Sequence, residues 1–105
     1  MRILLDACLP VDFRHELASA GNVQSARYAL LSNFSNGALL TAMIGRFDVL
    51  VTVDKSLRYQ QAIVGRTLSV IVLRAPTNVI DDLRPLVPAV IAALSTIQPG
   101  QILEV

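Results

Sequence analysis

The chain has 105 residues, enough for one hydrophobic core and too few for two. A net charge of +1 excludes a general basic field for nucleic acid, and a lone cysteine (Cys8) with a lone histidine (His15) excludes an internal disulfide and a Cys/His zinc site within the chain. The hydrophobic fraction of 53% and mean hydropathy of +0.56 fit a sheet covered on both faces, with apolar surface left over for a self-associating face.

The elements follow in order as β-α-β-α-β-α-β-α-β. The first strand covers 2–5 and is closed by Asp6, which also breaks the apolar run that a signal peptide needs. Pro10 favours the first turn of a helix, whose stripe is Phe13, Leu17 and Ala20 and whose stop is Gly21. A weaker strand spans 23–28. The loop 32–37 offers Ser35 or Asn36 as N-cap to a helix carrying Leu39, Leu40, Met43, Ile44 and Phe47. The strand 48–53 is the most apolar in the chain and ends at Asp54. A short helix or loop covers 56–63, and a further buried strand covers 69–73.

The last helical region presents one apolar face from Val79 to Ile97, with a turn over 78–83 and a restart at Pro85. That segment is too short to span a bilayer and is interrupted by Arg84, Pro85 and Pro88, so the expectation is a cytoplasmic protein without a membrane partner. Pro99 and Gly100 end it, and 101–105 can add an edge strand. Alternating strands and helices predict an α/β fold in which right-handed crossovers join a mainly parallel sheet of order 2-1-3-4 plus a C-terminal edge strand. The switch point then lies between strands one and three, which end in Asp6 and Asp54. Ligands gather there in an open α/β sheet.

Two acids at one switch point repel, and a divalent cation relieves the repulsion. A metal held by strand-end aspartates points to phosphodiester chemistry. The competing reading is that each carboxylate caps the turn after its strand. Asn36 could hold a metal weakly, or cap its helix. Lys55 and Arg58 could neutralise phosphates, Ser56 could donate to a phosphate oxygen, Tyr59 could stack on a base and Gln60 could bond a base edge. Against these stand a solvated face, a capping serine and a packed ring. Arg27 and Tyr28 end the second strand near the same rim and read as surface. Cys8 reads as a small buried residue, and His15 faces solvent.

Several segments resemble one family. Leu5-Asp6-Ala7-Cys8-Leu9-Pro10 is similar to its opening motif, Asn36-Gly37-Ala38-Leu39-Leu40 to its central one, and the stretch from Thr52 through Gln61 to its "T-x-D-x-N-L-x-Y-Q-Q" motif. Asn78 through Pro88 and Pro99-Gly100 match its tail. These are PIN-like proteins, akin to the ribonuclease toxins of bacterial toxin–antitoxin pairs. The resemblance covers nearly the whole chain. It implies a single domain (1–105) of three-layer α/β/α PIN-like fold and a metal-dependent endoribonuclease using Mg²⁺ or Mn²⁺. It also implies RNA as substrate, a small antitoxin as partner, and Asp6 and Asp54 as catalytic metal ligands.

The chain departs from the family where Ala7, Ala38 and Ser56 replace residues that are commonly acidic or amide, leaving a reduced acidic site. The alternative expectation is therefore a catalytically inactive interaction module that binds an antitoxin or itself. The apolar excess favours a homodimer.

Overall fold

The computed structural model describes residues 1–34, 36–59 and 67–105, and of Asn36 the backbone alone. Five strands form one sheet: β1 (Arg2–Leu5), β2 (Asn22–Ser25), β3 (Val49–Thr52), β4 (Ser69–Val72) and β5 (Ile102–Glu104). Their order is β2-β1-β3-β4-β5, and every neighbouring pair is parallel. The sheet is thus wholly parallel, with the C-terminal strand at its edge. The helices are α1 (Phe13–Glu16), α2 (Asn36–Met43), α3 (Ile80–Leu83) and α4 (Val87–Thr96). Three-residue 3₁₀ turns at Ala18–Ala20 and Arg84–Leu86, and a longer one at Lys55–Tyr59, complete the described elements.

Strand alternation sorts the core into two layers. Leu4, Leu50, Val70 and Val72 face Leu39, Leu40 and Met43 of α2, together with Leu57. Ile3, Leu5, Val49, Val51 and Ile71 face Phe13 and Leu17 on one side and Leu83, Val90 and Leu94 on the other. Every residue of β3 and β4 is buried, as a parallel sheet covered on both faces requires. This is an α/β/α sandwich. Among the described residues no helix is long and apolar enough to cross a membrane.

Local breaks differ from the expected elements. The first helix does not run through to Ala20: Leu17 leaves helical geometry (φ −105°, ψ 2°), and a 3₁₀ turn follows. The second strand stops at Ser25, because its Oγ accepts the Tyr28 N–H and its carbonyl accepts the Ala29 N–H, which curls the chain into a turn. The second helix ends at Met43, and Gly45 turns the chain with φ +80°. Phe47 is then buried from the loop while Ile44 stays 54% exposed. Pro85 sits inside the 3₁₀ turn, and the last helix starts at Val87.

The crossovers do not all share one hand. The move from β1 to β2 runs one way across the sheet with α1 on one face, and the move from β2 to β3 runs the other way with α2 on the opposite face. Those two connections therefore have the same hand. The move from β4 to β5 runs in the same direction as that from β2 to β3, yet α3 and α4 pack on the α1 face. Its hand is opposite. The handedness rule assumes a strand that feeds its helix directly. Here an irregular stretch containing Pro76 separates β4 from α3 and lets the chain change faces.

Candidate functional site

At the C-terminal end of the sheet, Leu5 of β1 pairs with Val51 of β3. The next N–H, that of Asp6, still bonds to the Val51 carbonyl at 3.0 Å, so Asp6 leaves the sheet from a fixed point. Thr52 ends β3 and is fully buried. Its hydroxyl donates to Asp6 Oδ2 at 2.7 Å and accepts the Asp54 N–H at 3.0 Å. One oxygen thus ties the Asp6 carboxylate to the Asp54 backbone. The second Asp6 oxygen, Oδ1, accepts the Ala7 N–H at 2.7 Å.

Asp54 caps the 3₁₀ turn that follows it. Its Oδ1 accepts the N–H and the O–H of Ser56, at 3.0 and 2.7 Å. Its Oδ2 takes no hydrogen bond among the described residues. Both aspartates are half-buried. Neither has an ion-pair partner among the described residues. Among the described residues the strand-end carboxylates are therefore held by neutral donors alone.

The loop after Asp6 is braced from the last crossover, where Asn78 Nδ2 donates to the Cys8 carbonyl at 2.8 Å. The Cys8 thiol lies 3.6 Å from the Thr52 hydroxyl, and burial is the main cause that pushes its pKa up, with the Asp6 charge adding. Cys8 is half-buried rather than fully buried. A thiol held protonated is a poor nucleophile. His15 is exposed on α1, consistent with a solvent-facing imidazole.

The residues after Asp54 divide. Lys55 and Ser56 are exposed, and Tyr59 is 75% exposed. Arg58 turns toward β5: its Nη1 lies 3.2 Å from Glu104 Oε1, and its guanidinium stacks 5.2 Å from the Tyr59 ring centroid. Arg58 Nε is buried without a hydrogen-bond partner. Gln60 lies outside the described residues, as does the side chain of Asn36.

Three contributors carried little signal in the sequence. Thr52 is the one polar residue in the apolar run from Val49 to Val53, and that interruption was its only mark. Glu104 reaches the rim only because β5 pairs with β4. Arg27 lines a pocket of about 210 Å³ together with Asp6, Ala7, Leu9 and Ser25.

Hard carboxylate oxygens suit Mg²⁺ or Mn²⁺, and Mg²⁺ is commonly bound by one or two protein carboxylates with the remaining positions filled by water. The Asp54 Oδ2 and the second lone pairs on Asp6 fit that demand. Among the described residues no group of three or more His, Cys, Asp or Glu side chains gathers to hold a metal. The donor set thus fits a cation that keeps most of its water. No protein-family model, curated protein or solved structure matches the chain.

Proposed function

We propose that the chain is a PIN-like metal-dependent endoribonuclease with a reduced acidic site, acting in the cytoplasm as the toxin component of a toxin–antitoxin pair. The observation that carries this reading is the state of Asp6 and Asp54. Both end adjacent strands at the switch point, both are half-buried, and among the described residues both are held only by neutral donors. A structural carboxylate in a folded protein is more economically neutralised by Arg or Lys. Two carboxylates that follow adjacent strands and form no ion pair among the described residues favour a cation.

Asp6 and Asp54 would hold the ion, which when bound supplies Lewis-acid charge stabilisation and activation of water. The remaining work falls to the chain. Thr52 fixes the Asp6 carboxylate and aims Asp54, so both acids keep their geometry without substrate. Ser56 holds Asp54 Oδ1 and leaves Oδ2 without a hydrogen bond among the described residues. Lys55 is exposed beside Asp54 and offers a charge to a phosphate.

The test is Mn²⁺ calorimetry on the wild type and on Asp6→Asn/Asp54→Asn, followed by cleavage of single-stranded RNA. Micromolar binding that the double variant loses, with metal-dependent cleavage, is the expected result. Absence of binding at millimolar Mn²⁺ overturns the nuclease reading.

A second reading rests on a different surface. Tyr28, Leu30 and Phe34 lie in one loop and are 74, 85 and 44% exposed, and Leu30 adopts φ +62°, which costs a leucine energy. With Ala7 and Ala38 in place of acids, this surface supports a catalytically inactive module that binds an antitoxin or a second copy. That reading predicts a dimer whose dissociation constant rises with Leu30→Ser, measured by sedimentation, and no response to Mn²⁺.

A further inference from the structure

The pocket beside Asp6 holds two opposite charges that do not meet. Asp6 and Arg27 both line it, yet no ion pair joins them. Among the described residues the Arg27 side chain has no hydrogen-bond or ion-pair partner, and it is exposed. The reason is in the backbone. The turn closed by Ser25 Oγ and the Tyr28 N–H fixes the chain around Arg27, and Asp6 is already committed to Thr52 and Ala7. Two other guanidinium groups at this end, Arg58 and Arg74, bond to Glu104, the first to its carboxylate and the second to its carbonyl. Among the described residues Arg27 is left available in the pocket that Asp6 lines.

We infer that Arg27 is a positioning residue that takes one backbone phosphate of a single-stranded nucleic acid and sets it beside Asp6. This rests on the nuclease reading and names how that site would grip its substrate. A guanidinium offers two parallel N–H donors to a phosphate, which fixes orientation as well as charge. The pocket volume, about 210 Å³, falls below the roughly 300–1,000 Å³ of sites that enclose a whole drug-sized ligand. It admits a phosphoryl group and part of a sugar and leaves the base outside. Tyr28, next in the chain and 74% exposed, offers a ring for that base. Recognition at this point reads backbone and not sequence.

The experiment is fluorescence anisotropy with a labelled 12-nucleotide single-stranded RNA in EDTA, where metal-dependent cleavage does not proceed, across a salt series. Wild type, Arg27→Ala, Arg27→Lys and Arg14→Ala are compared. Arg14 is an exposed arginine beside the opposite end of β2, without an ion pair among the described residues, and serves as the charge control. The expected result is that Arg27→Ala lowers the slope of log K against log salt by about 0.7, the value for one lost contact to a single strand. Arg27→Lys restores the slope, and Arg14→Ala leaves it unchanged. Equal losses in Arg27→Ala and Arg14→Ala would show general charge attraction and overturn the assignment. An unchanged Arg27→Ala overturns it too, while wild-type RNA binding and the Mn²⁺ result leave the nuclease reading standing. No RNA binding by the wild type in EDTA overturns the Arg27 assignment, and the nuclease reading is then decided by the Mn²⁺ calorimetry.

Discussion

The two ends of the sheet treat charge in opposite ways. At the N-terminal end Arg2 and Asp48 close on each other: the Arg2 N–H and guanidinium reach both Asp48 oxygens at 2.7 to 3.4 Å, and Arg2 Nη1 caps the Gly45 carbonyl. At the C-terminal end, among the described residues, Asp6 and Asp54 receive only a hydroxyl of Thr52, the amide of Ala7 and the two donors of Ser56. The first arrangement satisfies the charge inside the protein. The second holds the carboxylates in place and leaves their charge for something else. Among the described residues, carboxylates oriented without an ion-pair partner separate this rim from the other, which is built from the same strands, and the proposed function rests on that difference.

The sharpest way to break this contrast is to remove the unneutralised charge. Asp6→Asn/Asp54→Asn is expected to abolish the Mn²⁺-induced rise in melting temperature and to lower RNA cleavage by more than the roughly 10–100-fold typical of losing an outer-shell partner. If the apo double variant is as stable as the wild type and metal still raises its melting temperature, the C-terminal rim is not the site.

Thr52→Val keeps shape and removes the shared hydroxyl. Cleavage should fall by about 10–100-fold, as for other groups that orient ligands. Stability should fall by about 1–3 kcal/mol, because the Asp54 N–H loses its acceptor near the core. Urea unfolding alongside single-turnover kinetics reads both. A stability loss without a kinetic loss would make Thr52 a packing residue only.

On the N-terminal rim the largest expected effect is steric. A Cβ at Gly21 would sit 2.7 Å from the Met1 carbonyl oxygen, which also accepts the Asn22 N–H. Gly21→Ala should destabilise the fold by about 1–3 kcal/mol, the usual cost of overpacking, with metal affinity unchanged in calorimetry. Reduced metal affinity would show that the two rims are coupled.

The smallest effect is electrostatic. The hydrogen bonds from Arg2, chiefly that from its side chain, hold the Asp48 carboxyl below the usual carboxylate range. Its stabilisation is therefore full above the unfolded carboxylate pKa, about 3.9, and is lost as pH falls through the lower folded value. Both side chains are partly solvent-exposed (50% and 40%), so solvent screening keeps the contribution of the pair small. Asp48→Asn should flatten the acid limb of a melting-temperature profile and change little at pH 7. A large loss at pH 7 would show that the pair is structural beyond its charge.

How much of this was legible in the residues depended on the range of the interaction. The runs before Asp6 and Asp54 read as buried strands, and the structure puts strands there, side by side and parallel. The Met43 helix end and the Ser25 strand end were not legible, because Gly45 and the Ser25 hydroxyl act through turns that an apolar pattern does not encode. Arg27 read as surface at the end of the second strand near the same rim; the strand stops earlier, at Ser25, and Arg27 lines the Asp6 pocket from the turn that follows.

Sequence alone determined the α/β class, the apolar strands and the two acids at strand ends. Each depends on residues near one another in the chain, where periodicity and covalent order decide. The tertiary structure alone decided that Thr52 links the two acids across a gap of 46 residues, that Glu104 takes Arg58, that the last crossover changes hand, and that the Arg27 side chain is left without a partner among the described residues. Those outcomes depend on which distant groups reach one another first. A hydroxyl or guanidinium satisfies whichever partner the packed sheet brings within about 3 Å.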